Sequence, residues 1–312
     1  ITAADTVSLD MDALSRREFI NAVAVAAGRA SPGALHTAPI AEEYQSEALS
    51  IADARSQGRL ILVAEDDRVN QLVILQQLSL LGYTAEVADD GNKALEMWQR
   101  GEYALLLTDL HMPQMDGYTL TREIREREAE GRHLPIIALT ANALRGESNR
   151  ALEQGMDAYL VKPVKLEQLK QTLEHWLAPG AAAQNMTAAD TPDRPETTSE
   201  AALDLNILRD LVGAEPALLR EFLTIWQTSS TTLMAEVRAA REVQDSGTLS
   251  SLAHRFKSSS RSIGALPLGD LCADLEMACR AHDHEEVAVL MQRFEQLYSQ
   301  TDAAVTDALC HI

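Results

Sequence analysis

The chain has 312 residues, 46% hydrophobic and only 4% aromatic, which gives room for two packed domains and excludes wholesale disorder. Its 47 acidic residues against 27 Lys and Arg leave a formal net charge of −20, a surface that repels nucleic acid and anionic lipid, and no local basic patch interrupts it. Three cysteines without paired metal spacing, Cys272, Cys279 and Cys310, are expected as reduced thiols, and no apolar run reaches the ~20 residues that span a bilayer.

Residues 1–31 hold a helical pattern at Ser15–Gly28, with a Ser start and a Gly stop. They read either as the tail of a truncated upstream domain or as an exposed helical linker. The first residue is Ile, and no signal peptide is visible, so the chain is expected to be a piece of a longer polypeptide. Residues 32–58 read as linker with a weak helix at Ala41–Ala54.

Residues 59–178 alternate apolar strands with amphipathic helices. Leu60–Ala64 is a fully apolar strand, and Val69–Leu81 carries Val69, Leu72, Val73, Leu75 and Leu78 at helical spacing before Gly82. Strands follow at 84–88, 103–108, 135–140 and 158–161, with helices at 92–100, 118–128, 144–154 and 166–177. Five β–α units require crossover connections, which predicts an α/β doubly wound five-stranded parallel sheet. Residues 179–202, rich in Ala, Pro, Thr and Asp, form a linker. Residues 203–312 contain only helical apolar stripes and predict an all-α helical bundle.

The polar residues of the α/β segment gather at the carboxyl ends of its strands, the edge where open parallel sheets bind ligands. Glu65 and Asp66 follow the first strand, Asp109 ends the third, Thr140 ends the fourth and Lys162 follows the fifth. Two carboxylates ~4 Å apart repel by ~4 kcal/mol at an effective dielectric of ~20, so this cluster calls for a proton or a divalent cation. Hard oxygen donors in a small open site favour Mg²⁺. Asp109 is then placed as a nucleophile, with Lys162 and the Thr140 hydroxyl near the oxygens of a phosphoryl group.

In this combination the segment resembles the response-regulator receiver family. Glu65-Asp66 is similar to its metal-binding acidic pair, Asp109-Leu-His-Met-Pro-Gln-Met-Asp-Gly117 to its phosphoacceptor strand and turn, and Thr140-Ala-Asn-Ala and Lys162-Pro163 to its hydroxyl and lysine. The resemblance implies a flavodoxin-like fold, metal ligation by Glu65, Asp66 and Asp109, a cis Lys162–Pro163 bond and a switch aromatic at Tyr159. His111 and Asn142 flank the pocket, either tuning phosphate lifetime or lying plainly on the surface. A phosphatase of the haloacid-dehalogenase type would place a second acid where His111 stands, which argues against that class.

In the helical segment, His254, Lys257, Ser258 and Arg261 share one face at i, i+3, i+4 and i+7, opposite Leu252, Phe256 and Ile263. The expected state of that face is exposed, with Lys257 and Arg261 supplying charge beside the imidazole. His254–Gly264-Ala265 resembles the histidine phosphotransfer (HPt) family, with Ser258 where that family usually has glycine. The resemblance implies a four-helix bundle with His254 as the phosphotransfer histidine.

Receiver, linker and HPt in that order resemble the C-terminal part of a bacterial hybrid sensor histidine kinase; no kinase catalytic segment is present in the chain. The resemblance implies a multistep phosphorelay, in which Asp109 takes a phosphoryl group from an upstream histidine kinase core, in the same polypeptide or in trans. His254 then takes it and donates it to the receiver of a separate response regulator. The alternative is a phosphorylation-independent partner-binding scaffold. The resemblance places the segment in the cytoplasm, without nucleic-acid or membrane contact, and leaves open a parent anchored in the inner membrane. A linker of ~22 residues spans ~25 Å root-mean-square, enough for transfer within one chain, and transfer between two chains stays open.

Overall fold

A computed structural model describes residues 49–129, 131–141, 145–177 and 201–312. The expectations for residues 1–48, the 179–200 linker and Asn142 lie outside the described residues.

The apolar runs form the predicted strands: β1 (Ile61–Ala64), β2 (Ala85–Ala88), β3 (Leu105–Asp109), β4 (Ile136–Thr140) and β5 (Ala158–Val161). All pair in parallel in the order β2-β1-β3-β4-β5. β1, β3 and β4 are buried along their whole length, as strands covered on both faces must be. The helices are α1 (Ile51–Ser56), α2 (Arg68–Leu80), α3 (Gly91–Arg100), α4 (Gly117–Arg127), α5 (Arg145–Glu153) and α6 (Leu166–Leu177). The strand order reverses between β1 and β3, so Glu65, Asp66 and Asp109 meet at one switch point.

Part of the stretch expected as linker is ordered. Ser50 caps α1 by accepting from Asp53 N, Ala54 is buried, and Arg55 reaches Glu86 of β2 at 2.7 Å. The weak helix expected at Ala41–Ala54 overlaps α1 at 51–54, and its first eight residues lie outside the described residues.

The C-terminal segment is entirely helical among the described residues: α7 (Leu205–Val212), α8 (Pro216–Glu242), α9 (Ser246–Ser262), α10 (Leu266–Arg280) and α11 (His284–His311). The stripes read from the sequence face inward, where Phe222, Trp226, Phe256 and Phe294 are the largest fully buried side chains. Phe256 meets Phe294 edge to face at 5.1 Å between ring centroids. Cys272 and Cys279 are buried free thiols, and Cys310 is exposed.

Helix α2 joins the two domains because it is apolar on two sides. Ile74 and Leu78 pack with the sheet residues Ile61, Val63 and Leu107. Val69 and Val73, with Leu72 at the edge, instead belong to the bundle's core with Leu208, Leu219 and Phe256. Helical spacing alone puts the apolar residues of this helix on one stripe; the structure divides them between two cores.

Gly264 closes the α9–α10 turn at φ +89°, and its carbonyl accepts from Asp204 N at 3.0 Å. A Cβ there would strike the Asp204 carbonyl oxygen. Gly264→Ala is therefore expected to destabilise the bundle by more than ~1 kcal/mol, read as a lowered midpoint in thermal or urea denaturation.

Candidate functional site

The acid cluster is built by the ends of β1 and β3. Asp67, the third acid in sequence, is the N-cap of α2 and accepts from Val69 N and Asn70 N at 3.0 and 3.1 Å, which leaves Glu65 and Asp66 for the pocket. Asp109 is held by the turn after it. His111 N donates to its Oδ1 at 3.0 Å, and Gly117 packs so close that a Cβ would strike the Asp109 carbonyl oxygen. Lys162 directly follows β5 and is joined to Pro163 by the expected cis bond. Its backbone N donates to Thr140 O at 2.7 Å, and its Nζ lies 2.5 Å from both Asp109 Oδ2 and Glu65 Oε2.

One carboxylate oxygen each from Glu65, Asp66 and Asp109 lie within 4.8 Å of one another. Asp66 Oδ2 is buried without a hydrogen bond. An all-oxygen donor set in which Asp66 Oδ2 is engaged only by an ion pair with Arg255 fits Mg²⁺, so the three acids named from the sequence can hold such an ion. Burial pushes the Glu65 carboxyl up to about 8 and that of Asp66 to about 7, with neighbouring carboxylates adding to the rise. Burial also works against charge on Asp109, but Lys162 foremost, with His254, outweighs it and holds this carboxyl below its usual range. Thr140 is buried at the end of β4. Tyr159 does not join the cluster; it packs at the edge of the core formed by Leu106, Tyr118 and Ile136.

The bundle presents His254 to this pocket. The imidazole lies against His111, ring centroids 4.6 Å apart and nearly perpendicular, and Asp109 is among the charges acting on it. The expectation of an exposed face is corrected here: His254, Lys257 and Ser258 are all buried, His254 to 5% exposure. Two things cover them, the receiving face of α2 and a carboxylate from α10 that sequence reasoning missed.

That carboxylate is Glu276. It is 3.1 Å from His254 Nδ1, 2.6 Å from Lys257 Nζ, and joined by Arg280 from the exposed edge. Lys257 thus neutralises Glu276 instead of standing free beside the imidazole. An ionised carboxylate can only accept, so Nδ1 carries the proton and the Nε2 lone pair is left open. Nε2 is buried with no hydrogen-bond partner. Burial holds His254 below the usual imidazole range, against the opposing pull of Glu276 and Asp109, so the ring is neutral at neutral pH. Although burial raises Glu276, His254 and Lys257 bring it down to about 2.

Arg255, also unforeseen, extends from α9 to place Nε 3.1 Å from Asp66 Oδ2, while Arg261 donates to Ala141 O at 3.4 Å. The one available hint of Glu276 was an acid beside the apolar stripe Leu271, Leu275 and Ala278.

Comparison with known proteins places these two halves. Residues 61–174 match the response regulator receiver domain family, and residues 221–304 match the Hpt domain family. The sensor histidine kinase GacS of Pseudomonas protegens is 32% identical over 233 residues, 74% of this chain and 25% of that protein. The sensor protein EvgS of Escherichia coli K12 is 30% identical over 246 residues, 78% of this chain and 19% of that protein. Among solved structures, the receiver domain of sensor histidine kinase PA1611 from Pseudomonas aeruginosa PAO1, with a magnesium ion in its active site cleft, is 45% identical. It covers 39% of this chain and 99% of its own, with a TM-score of 0.37. The chain spans a quarter or less of the length of these curated relatives.

Glu276 generates a pH prediction. Its carboxyl sits at about 2 against an ordinary 4.5, so folding favours its ionised form. That stabilisation is complete above about pH 4.5 and is lost as pH falls through about 2. The stability advantage of wild type over Glu276→Gln, from urea titrations, should be constant above about pH 4.5 and shrink steadily below it.

Proposed function

We propose that this chain, a response regulator receiver domain followed by an Hpt domain, carries a phosphoryl group from Asp109 to His254 within one polypeptide as a step of multistep phosphorelay signalling. The observation that carries the reading is the buried, partnerless His254 Nε2, set on the receiver's acid pocket.

In the first step an Asp109 oxygen attacks the phosphorus of an upstream phosphohistidine. The P–O bond forms, the P–N bond breaks and the donor imidazole leaves. In the second step the His254 Nε2 lone pair attacks the same phosphorus, the P–O bond to Asp109 breaks, and the carboxylate is released. No proton needs to leave His254 during transfer: Nδ1–H stays on Glu276, whose charge offsets the imidazolium character that develops in the ring. Lys162 holds the Asp109 carboxylate in place before attack and stabilises it as a leaving group. A divalent cation on Glu65, Asp66 and Asp109 would neutralise the phosphoryl oxygens. The Thr140 hydroxyl, at the end of β4, is the donor that tracks the phosphoryl group, and Tyr159 responds to its movement.

The upstream donor is a histidine kinase core, in the same polypeptide or another. The acceptor after His254 is the receiver of a separate response regulator. Because the chain's own receiver covers His254, that acceptor can engage only once the receiver has left this face. Among the described residues no helix is long and apolar enough to cross a membrane. In this reading the segment works in the cytoplasm as part of a hybrid sensor kinase, which its receiver and Hpt domains support.

Acetyl phosphate with Mg²⁺ supplies the test. Wild type should form both an alkali-labile acyl phosphate and an acid-labile phosphohistidine. Asp109→Asn should lose both, His254→Gln should lose only the phosphohistidine, and chelation by EDTA should suppress both. Labelling indifferent to the two substitutions would overturn the relay in favour of a partner-binding scaffold.

The ring contact also makes a prediction. His111→Ala removes the face that His254 rests on, and should slow Asp109-to-His254 transfer about tenfold by loosening its aim. The check is single-turnover transfer, quenched and resolved by acid and alkali stability.

A further inference from the structure

Between the acid cluster and His254, the side chain of Asn70 is shared by both domains. Its Nδ2 donates to Ser258 Oγ at 2.9 Å and to Glu65 Oε1 at 3.2 Å, and its Oδ1 accepts from Ser262 Oγ at 2.9 Å. All four residues are buried. With Nδ2 donating to both Glu65 Oε1 and Ser258 Oγ, Oδ1 is the atom that faces Ser262. Ser258 and Ser262 stand at i and i+4 on α9, one turn apart, and the carboxamide meets both at once with a donor and an acceptor.

We propose that Asn70 is a specificity-determining residue of the transfer complex. The Ser258–Ser262 face selects a receiver that presents a carboxamide at this point of its first crossover helix, and the same amide ties that recognition to the position of Glu65. The proposal rests on the relay reading for its purpose, not for its geometry. It explains Ser258, which stands where the Hpt resemblance leads one to expect glycine: the hydroxyl adds a bond only to a receiver that can complete it. A receiver with an apolar residue at this place leaves the buried Ser258 hydroxyl without its amide donor and Ser262 with only its bond to Ser258 O, a cost that adds to the lost bonds. The downstream acceptor is accordingly a receiver with Asn or Gln at the position of Asn70.

The test uses the full chain in four forms: wild type, Asn70→Leu, the pair Ser258→Ala with Ser262→Ala, and all three substitutions together. Docking is read without phosphate, as the rate at which diethyl pyrocarbonate modifies His254, with the half-exposed His133 as internal reference. Transfer is read as phosphohistidine formed per acyl phosphate present on Asp109. Asn70→Leu should raise His254 modification about tenfold and lower transfer by a similar factor. The serine pair should fall between, because the carboxamide then keeps only its bond to Glu65 Oε1. The triple variant should return close to wild type in both readouts, since no polar group is then stranded. Unchanged His254 reactivity in Asn70→Leu, or a triple variant no better than Asn70→Leu, would overturn the proposal. If wild type forms no phosphohistidine while His254 reactivity still keeps this order, the recognition stands and the relay falls.

Discussion

Charge cancellation inside a buried seam governs this molecule. Glu65, Asp66, Asp109 and Glu276 are brought together out of water, and Lys162, Arg255 and Lys257 reach them, with Arg280 at the rim. An isolated buried carboxylate costs several kcal/mol, so each acid is placed beside a cation. With all four acids ionised the four cations match them in number, while burial raises Glu65 and Asp66 toward their protonated forms. A phosphoryl group adds up to about two negative charges, which is the charge a divalent ion at the acid cluster would cancel. His254 stays out of this balance at rest by remaining neutral, and that neutrality leaves its Nε2 nucleophilic.

The seam exists because one helix serves two cores. Ile74 and Leu78 fix α2 to the sheet, and Val69 and Val73 fix it to the bundle. The same helix begins two residues after the acid pair and carries Asn70 on its first turn, so docking the bundle and shaping the acid site are done by one element. Placing His254 is therefore a consequence of helix packing rather than of the ~22-residue linker, whose ~25 Å reach permits the encounter without directing it.

Much of the fold was legible in the sequence. Fully apolar strands such as Leu105–Leu107 and inward stripes such as Leu219, Phe222 and Trp226 each have one environment, and periodicity reports it faithfully. Glu65, Asp66, Asp109 and Lys162 were legible for a related reason: strand ends have fixed places, so residues there converge whatever lies between them. Contacts between the domains escaped. The apolar residues of α2 look like one broad stripe until two partners divide them. His254 looks solvent-facing because its own helix turns it away from the bundle core, and only the receiver and Glu276 enclose it. Glu276 and Arg255 are ordinary charged helix residues until the partner they meet is known.

The central claim is that the acid pocket and the imidazole meet within one chain. The rate of phosphohistidine formation from Asp109 acyl phosphate, measured over a hundredfold dilution of the protein, tests it most directly. The docked arrangement predicts a first-order rate constant that does not change with concentration, and no transfer when Asp109→Asn and His254→Gln chains are mixed at low concentration. A rate that rises in proportion to protein concentration, with full activity in the mixture, would contradict it.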